Sequence, residues 1–77
     1  MFLWGKSHHL KTLLKTHEFD LNKTIYIGDE IRDIEAAHKV GIRIAAVTWG
    51  YNSKKALESY HPDFLITEPQ QLLNLIE

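Results

Sequence analysis

Thr24-Ile25-Tyr26-Ile27-Gly28-Asp29-Glu30-Ile31-Arg32-Asp33 is a short apolar strand that stops at a glycine and is followed by two aspartates, four residues apart. Residues four apart on a helix share a face. A helix beginning near Glu30 therefore carries Asp29 at its N-terminal end and Asp33 one turn further on. The two carboxylates then aim at one spot beyond the end of a strand, where open α/β sheets place their ligands. Oxygen-only donors in that position suit a hard cation such as Mg2+, which keeps several waters and bridges to phosphate. A plainer reading stands beside this one: Asp29 caps the helix, and Asp33 pairs with an Arg or Lys on the surface. The coincidence of strand, glycine, carboxylate and helix favours the metal site.

The rest of the chain alternates in the same way. Ser7 to about Glu18 reads as a helix, with Leu10, Leu13 and Leu14 at helical spacing and Ser7 as its cap. Phe19 to Asn22 is a connection, and Lys23 to Ile27 is a strand apolar enough to be buried on both faces. Glu30 to Val40 is the best-marked helix: Ile31, Ile34 and Ala37 line one side, Lys39 lies in the last turn, and Gly41 follows. Ile42 to Thr48 is a second buried strand, closed by Trp49-Gly50. Ser53 to Tyr60 is a short helix, Asp63 to Ile66 a third strand, and Pro69 opens a final helix with Leu72, Leu73 and Ile76 on its apolar side. Helix, strand, helix, strand, helix, strand, helix in regular order predicts an α/β fold with parallel strands joined by right-handed helical crossovers.

Composition narrows the function. Seventy-seven residues make one small domain, residues 1–77, with no repeat, low-complexity stretch or linker. A chain of this size buries only roughly 60% of the surface it exposes when unfolded. It has no cysteine, so neither a disulfide framework nor a thiolate metal site compensates. The formal charge of -1, with Lys and Arg spread along the chain, argues against a nucleic-acid partner. No apolar run approaches the roughly 20 residues that span a bilayer. Met1-Phe2-Leu3-Trp4 is apolar but stops at Gly5-Lys6, too short for a signal-peptide core. The expectation is a cytoplasmic protein without a membrane partner.

Three other groups bear weighing. Lys6 follows a glycine and precedes a helix, within reach of a phosphate or carboxylate at the same sheet edge; taken alone it is a solvated surface lysine. In Thr48-Trp49-Gly50-Tyr51, a glycine ending a strand marks either a loop that packs closely on a ligand or another loop, or a plain turn beside a core tryptophan; the residues alone favour the latter. The five histidines lack metal-ligand spacing and read as structural or surface residues.

Lys6-Ser7 before a helix, Tyr26-Ile27-Gly28-Asp29-Glu30-Ile31-Arg32-Asp33-Ile34-Glu35-Ala36-Ala37, then Gly41 and Val47-Thr48-Trp49-Gly50-Tyr51 closely resemble the C-terminal half of haloacid dehalogenase (HAD)-superfamily phosphatases. Within that superfamily the pattern resembles the phosphoglycolate phosphatase group, as does Pro62-Asp63-Phe64-Leu65-Ile66 with Pro69 and a leucine-rich helix. The resemblance implies a partial Rossmann-like sheet of about three parallel strands with flanking helices. It implies Mg2+-dependent hydrolysis of a phosphomonoester, a phosphorylated small molecule, through an aspartyl-phosphate. By position, Lys6 resembles the catalytic lysine that neutralises nucleophile and phosphoryl group. Asp29 resembles the acidic Mg2+ ligand, and Asp33 its helper, often acting through water. Phosphoryl transfer suits such a set, because its catalysis is mostly positioning plus cationic stabilisation.

The chain departs from the family in one large respect. The family nucleophile lies in an N-terminal Asp-x-Asp-x-Thr segment, whereas the aspartates here are at 20, 29, 33 and 63. The nucleophile segment and the cap are both absent, so the chain is expected to be inactive alone. The strand Lys23–Ile27 would pair on one side with that missing nucleophile strand, leaving an open edge that is a template for another chain. A homo-oligomer joined there, or a complex with a separate N-terminal half, follows as an expectation. The rival readings are a catalytically dead remnant serving as a homo-oligomeric interaction module, and a small metal- or phosphate-binding protein without turnover.

Overall fold

The computed structural model of the chain describes residues 2–4 and 20–76. The helix expected over Ser7 to Glu18 lies outside the described residues. Four strands, β1 (Phe2–Trp4), β2 (Ile25–Gly28), β3 (Arg43–Val47) and β4 (Phe64–Ile66), form one parallel sheet in the order of the chain. Among the described residues, three α-helices, α1 (Ile31–Val40), α2 (Lys54–Glu58) and α3 (Pro69–Ile76), accompany them. A 3-10 turn, Leu21–Lys23, leads into β2. The three strands expected from the sequence are all present, and β1 joins them as a fourth.

The strand sequences explain the layering. Parallel sheets are covered on both faces, so their central strands are apolar throughout. Every residue of β2 is buried, as are the last four of β3. Ile25 and Ile27 pack with Ala45, Val47 and Ile66 on one face, and Tyr26 with Ile44 and Ala46 on the other. When strand order follows chain order, right-handed crossovers bring successive helices to one face. Ile34 and Ala37 of α1 and Leu57 of α2 accordingly share the Tyr26 core. Leu72 and Leu75 of α3 cover the opposite face.

The edge of β2 differs from expectation. The resemblance leaves it open, but β1 takes it, with Phe2 opposite Ile25, Leu3 opposite Tyr26 and Trp4 opposite Ile27. Leu3 packs against the Tyr26 core. An unpaired β2 edge is therefore not available to join two copies. The Phe2–Trp4 strand was invisible to pattern reading because three residues are too few to display a period. At the other side of the sheet, Asp63 does not begin β4. Its carboxylate accepts the Ile44 N–H at 2.8 Å, so it serves β3 by side chain rather than by backbone.

Register brings the functional end together. Gly28 lies opposite Ala46, and Val47 opposite Ile66, so β2, β3 and β4 finish along one edge. The Thr48 N–H donates to the Ile66 carbonyl at 3.0 Å. The segment after β2 and the loop after β3 therefore leave the sheet side by side.

Candidate functional site

Helix α1 starts immediately beyond β2, with Glu30 at its N-cap in extended backbone. The first N–H groups of a helix have no partner within it, and here the second half of a capping box supplies one. Asp33, at the third helical position, turns its carboxylate back so that Oδ2 accepts the N–H of Glu30 at 3.0 Å. The same oxygen accepts the Asp29 N–H, also at 3.0 Å. Oδ1 accepts from the Tyr26 hydroxyl at 3.4 Å. Asp33 is only 4% exposed, so a buried carboxylate braces the turn from beneath. That fit requires Gly28: a Cβ there would overlap the Asp33 Cβ and carboxylate.

Asp29 is held from the other side. The loop after β3 folds over the turn, and the Tyr51 N–H donates to Asp29 Oδ2 at 3.1 Å. The Asn52 N–H donates to the Asp29 carbonyl at 3.2 Å. Asn52 Oδ1 accepts the N–H of Ile31, the first residue of α1, at 3.0 Å. Gly50 makes the approach possible, since a Cβ at that position would overlap Asp29 Oδ2 and Cβ. Asp29 Oδ1 takes no hydrogen bond from the described residues. An open depression of about 390 Å³ beside the turn is lined by Glu30, Ile31, Arg32, Glu35, Tyr51 and Asn52. Arg32 is paired with Glu30 at its rim.

Burial pushes the Asp33 carboxyl above its ordinary value; the N–H groups of Glu30 and Asp29 pull it back, and the nearby carboxylates of Glu30 and Asp29 add to the rise. Burial and the Asp33 carboxylate likewise push the Tyr26 phenol well above its usual range. A carboxyl with a raised folded pKa binds more protons folded than unfolded. Its contribution is therefore greatest below the unfolded value of 3.8 and is lost as pH rises through the folded value. Asn at 33 keeps one oxygen for both N–H groups and offers its amide to the Tyr26 oxygen. In EDTA, the stability of the native chain relative to Asp33→Asn is expected to fall as pH rises from 3.8. Urea midpoints across the acid range check this, and a gap independent of pH contradicts it.

The sequence-derived residues thus have different fates. Asp29 stands at the sheet edge with one oxygen pinned. Asp33 lies below it, with both oxygens engaged by protein donors rather than by a surface Arg or Lys. Lys6 lies outside the described residues. Among the described residues, no group of three or more His, Cys, Asp or Glu side chains is arranged to hold a metal ion. Trp49 is not a core residue, being 48% exposed, and Gly50 is the close-approach glycine rather than a plain turn. Asn52 was missed altogether. Its role depends on a contact 21 residues away in sequence, for which no local pattern exists.

Residues 3–72 match the family model of HAD-hydrolase-like proteins. The phosphoglycolate phosphatase of Synechococcus elongatus is 38% identical over 72 residues, which are 94% of this chain and 34% of that protein. The pyrophosphatase PpaX of Oceanobacillus iheyensis is 28% identical over 53 residues, 69% of this chain and 25% of that one. Among solved structures, a haloacid dehalogenase-like family hydrolase from Streptococcus pneumoniae superposes with a TM-score of 0.81 at 30% identity, over 94% of this chain and 34% of that chain. The chain thus spans about a third or less of the length of these relatives. No helix among the described residues is long and apolar enough to cross a membrane. The family match runs from β1 into α3, and on that extent of agreement the chain belongs to the haloacid dehalogenase-like hydrolases and is phosphoglycolate phosphatase-like within them.

Proposed function

We propose that this chain supplies the cation-holding part of a Mg2+-dependent phosphomonoester hydrolase of the phosphoglycolate phosphatase type. Phosphatases of the family are generally metal-dependent. The observation that carries the proposal is Asp29, placed at the C-terminal edge of a parallel sheet with Oδ2 pinned to the Tyr51 N–H and Oδ1 taking no hydrogen bond from the described residues. The donor fits Mg2+ in kind, since that ion is held by one or two carboxylates with water and phosphate completing the shell. The bound cation would neutralise charge on the phosphoryl oxygens. Asp29 would hold it, Asp33 would keep the Asp29–Glu30 backbone in place, and Lys6 would face the same phosphate. The substrate is then a small phosphorylated molecule, with phosphoglycolate favoured by the Synechococcus relative.

No two aspartates in these 77 residues are separated by a single residue, so the attacking carboxylate belongs to a segment outside them. The expected result is no hydrolysis of p-nitrophenyl phosphate with Mg2+ by the 77-residue chain alone. Turnover is expected when an N-terminal half bearing Asp-x-Asp-x-Thr is added in trans, and EDTA should abolish it. A second reading, an interaction module without turnover, is favoured by one observation. Both Asp33 oxygens bond to protein donors, a structural task that preserves the residue whether or not a cation binds. Two halves that associate and yet hydrolyse nothing would favour that reading. Association of two copies would then use the outer edge of β1, or another surface, rather than β2.

A further inference from the structure

We infer that Asn52 is the positioning residue of this site: it fixes which oxygen of Asp29 is presented, acting through the loop rather than through any contact with a ligand. The inference rests on the reading of Asp29 as a cation ligand and deepens it.

Three bonds and one close contact tie residues 50–52 to the β2–α1 junction. The Asn52 side chain accepts the Ile31 N–H at 3.0 Å, and its own N–H donates to the Asp29 carbonyl at 3.2 Å. Asn52 is thus bonded on both sides of Glu30, to the residue before it and the residue after it. This two-point attachment brings the neighbouring Tyr51 N–H within 3.1 Å of Asp29 Oδ2. Gly50 lies against the same carboxylate with no room for a side chain.

A carboxylate on a two-torsion side chain turns readily unless one oxygen is tethered. Here Tyr51 N–H is the only donor to Asp29 side-chain oxygens among the described residues. Its tether is a backbone N–H, which side-chain changes at 51 other than proline leave in place. Its position depends instead on Asn52, whose side chain simultaneously satisfies an N–H at the start of α1 that otherwise has no partner in its helix. Asp33 fixes the backbone of Asp29, and Asn52 fixes its carboxylate. The two functions are separable, because Asp33 meets the turn from the buried side and Asn52 from the loop side. Outer-shell partners of this kind contribute about 10–100-fold to metal affinity.

The test uses the 77-residue chain and two readouts. The first needs no metal: amide hydrogen exchange of Tyr51 and Ile31 by NMR in EDTA. Asn52→Ala is expected to remove protection at both amides, whereas Asn52→Asp, which keeps the acceptor oxygen, retains it. The second is the Mg2+ dissociation constant, followed by tryptophan fluorescence. Asn52→Ala weakens binding by about tenfold or more, and Asn52→Asp binds at least as tightly as the native chain. Ser53→Ala is the control. It removes the hydroxyl that caps α2 through the Ala56 N–H, one residue from Asn52, and should leave both readouts unchanged. The inference is overturned if Asn52→Ala keeps Tyr51 protection, or if Ser53→Ala weakens Mg2+ as much as Asn52→Ala does. Should the native chain bind no Mg2+, the proposed function fails, while Tyr51 protection still decides whether Asn52 orients Asp29.

Discussion

Asp29→Asn is expected to weaken Mg2+ binding by more than about a hundredfold and leave the fold intact. Outer-shell substitutions already cost metal sites about 10–100-fold, and removing the charge from a direct carboxylate ligand costs more than disturbing its neighbour. The fold survives because Asn retains an oxygen for the Tyr51 N–H, while the Asp29 N–H and carbonyl keep their bonds to Asp33 and Asn52. Asp33→Asn in the same titration should weaken binding less, because that carboxylate bonds to Glu30, Asp29 and Tyr26 from a buried position. Calorimetric titration with Mg2+, beside a urea melt of each variant, makes the comparison. Equal losses for the two variants would mean that both carboxylates ligate directly. An undiminished affinity in Asp29→Asn would remove Asp29 from the cation site.

The contrast between the two aspartates shows what a sequence can carry and what it cannot. Strand β2, the helix after it and the glycine between them are local events, recorded in β-branched residues, acidic residues at the helix start and Gly41 at its end. Their types were therefore legible, with ends displaced by a residue or two. Spacing also placed both carboxylates near one sheet edge. It could not say that Asp33 turns back to accept two N–H groups while Asp29 is held by the loop after β3, because four-residue spacing fixes the face and not the rotamer. Trp49-Gly50-Tyr51 shows the same limit. Whether that glycine admits a neighbour depends on which element lies across the sheet edge, and this is decided by the register of β2 on β3. The pairing of β1 on β2 lies further still from local reading, since nothing in Phe2-Leu3-Trp4 selects its partner.

The tight seat of Asp33 leads to the largest expected effect on stability. Gly28→Ala should destabilise the chain by about 3 kcal/mol, combining overpacking of about 1–3 kcal/mol with weakened bonds to a buried carboxylate. The cause is steric and not conformational, because the positive-φ glycine of the described residues is Gly41 and not Gly28. An added Cβ would overlap the Asp33 side chain. Asp33 has little freedom to yield, being nearly buried and bonded to Asp29, Glu30 and Tyr26 at once. A chain of this length has a total stability of only about 4–12 kcal/mol, so the loss should show as a large drop in urea midpoint. A double-mutant cycle isolates the contact. In an Asp33→Gly background the obstructing Cβ and carboxylate are gone, and Gly28→Ala should cost less than about 1 kcal/mol. The same cost in both backgrounds would show that Gly28 answers to something other than Asp33, and the account of the turn as a glycine seat beneath a capping carboxylate would be wrong.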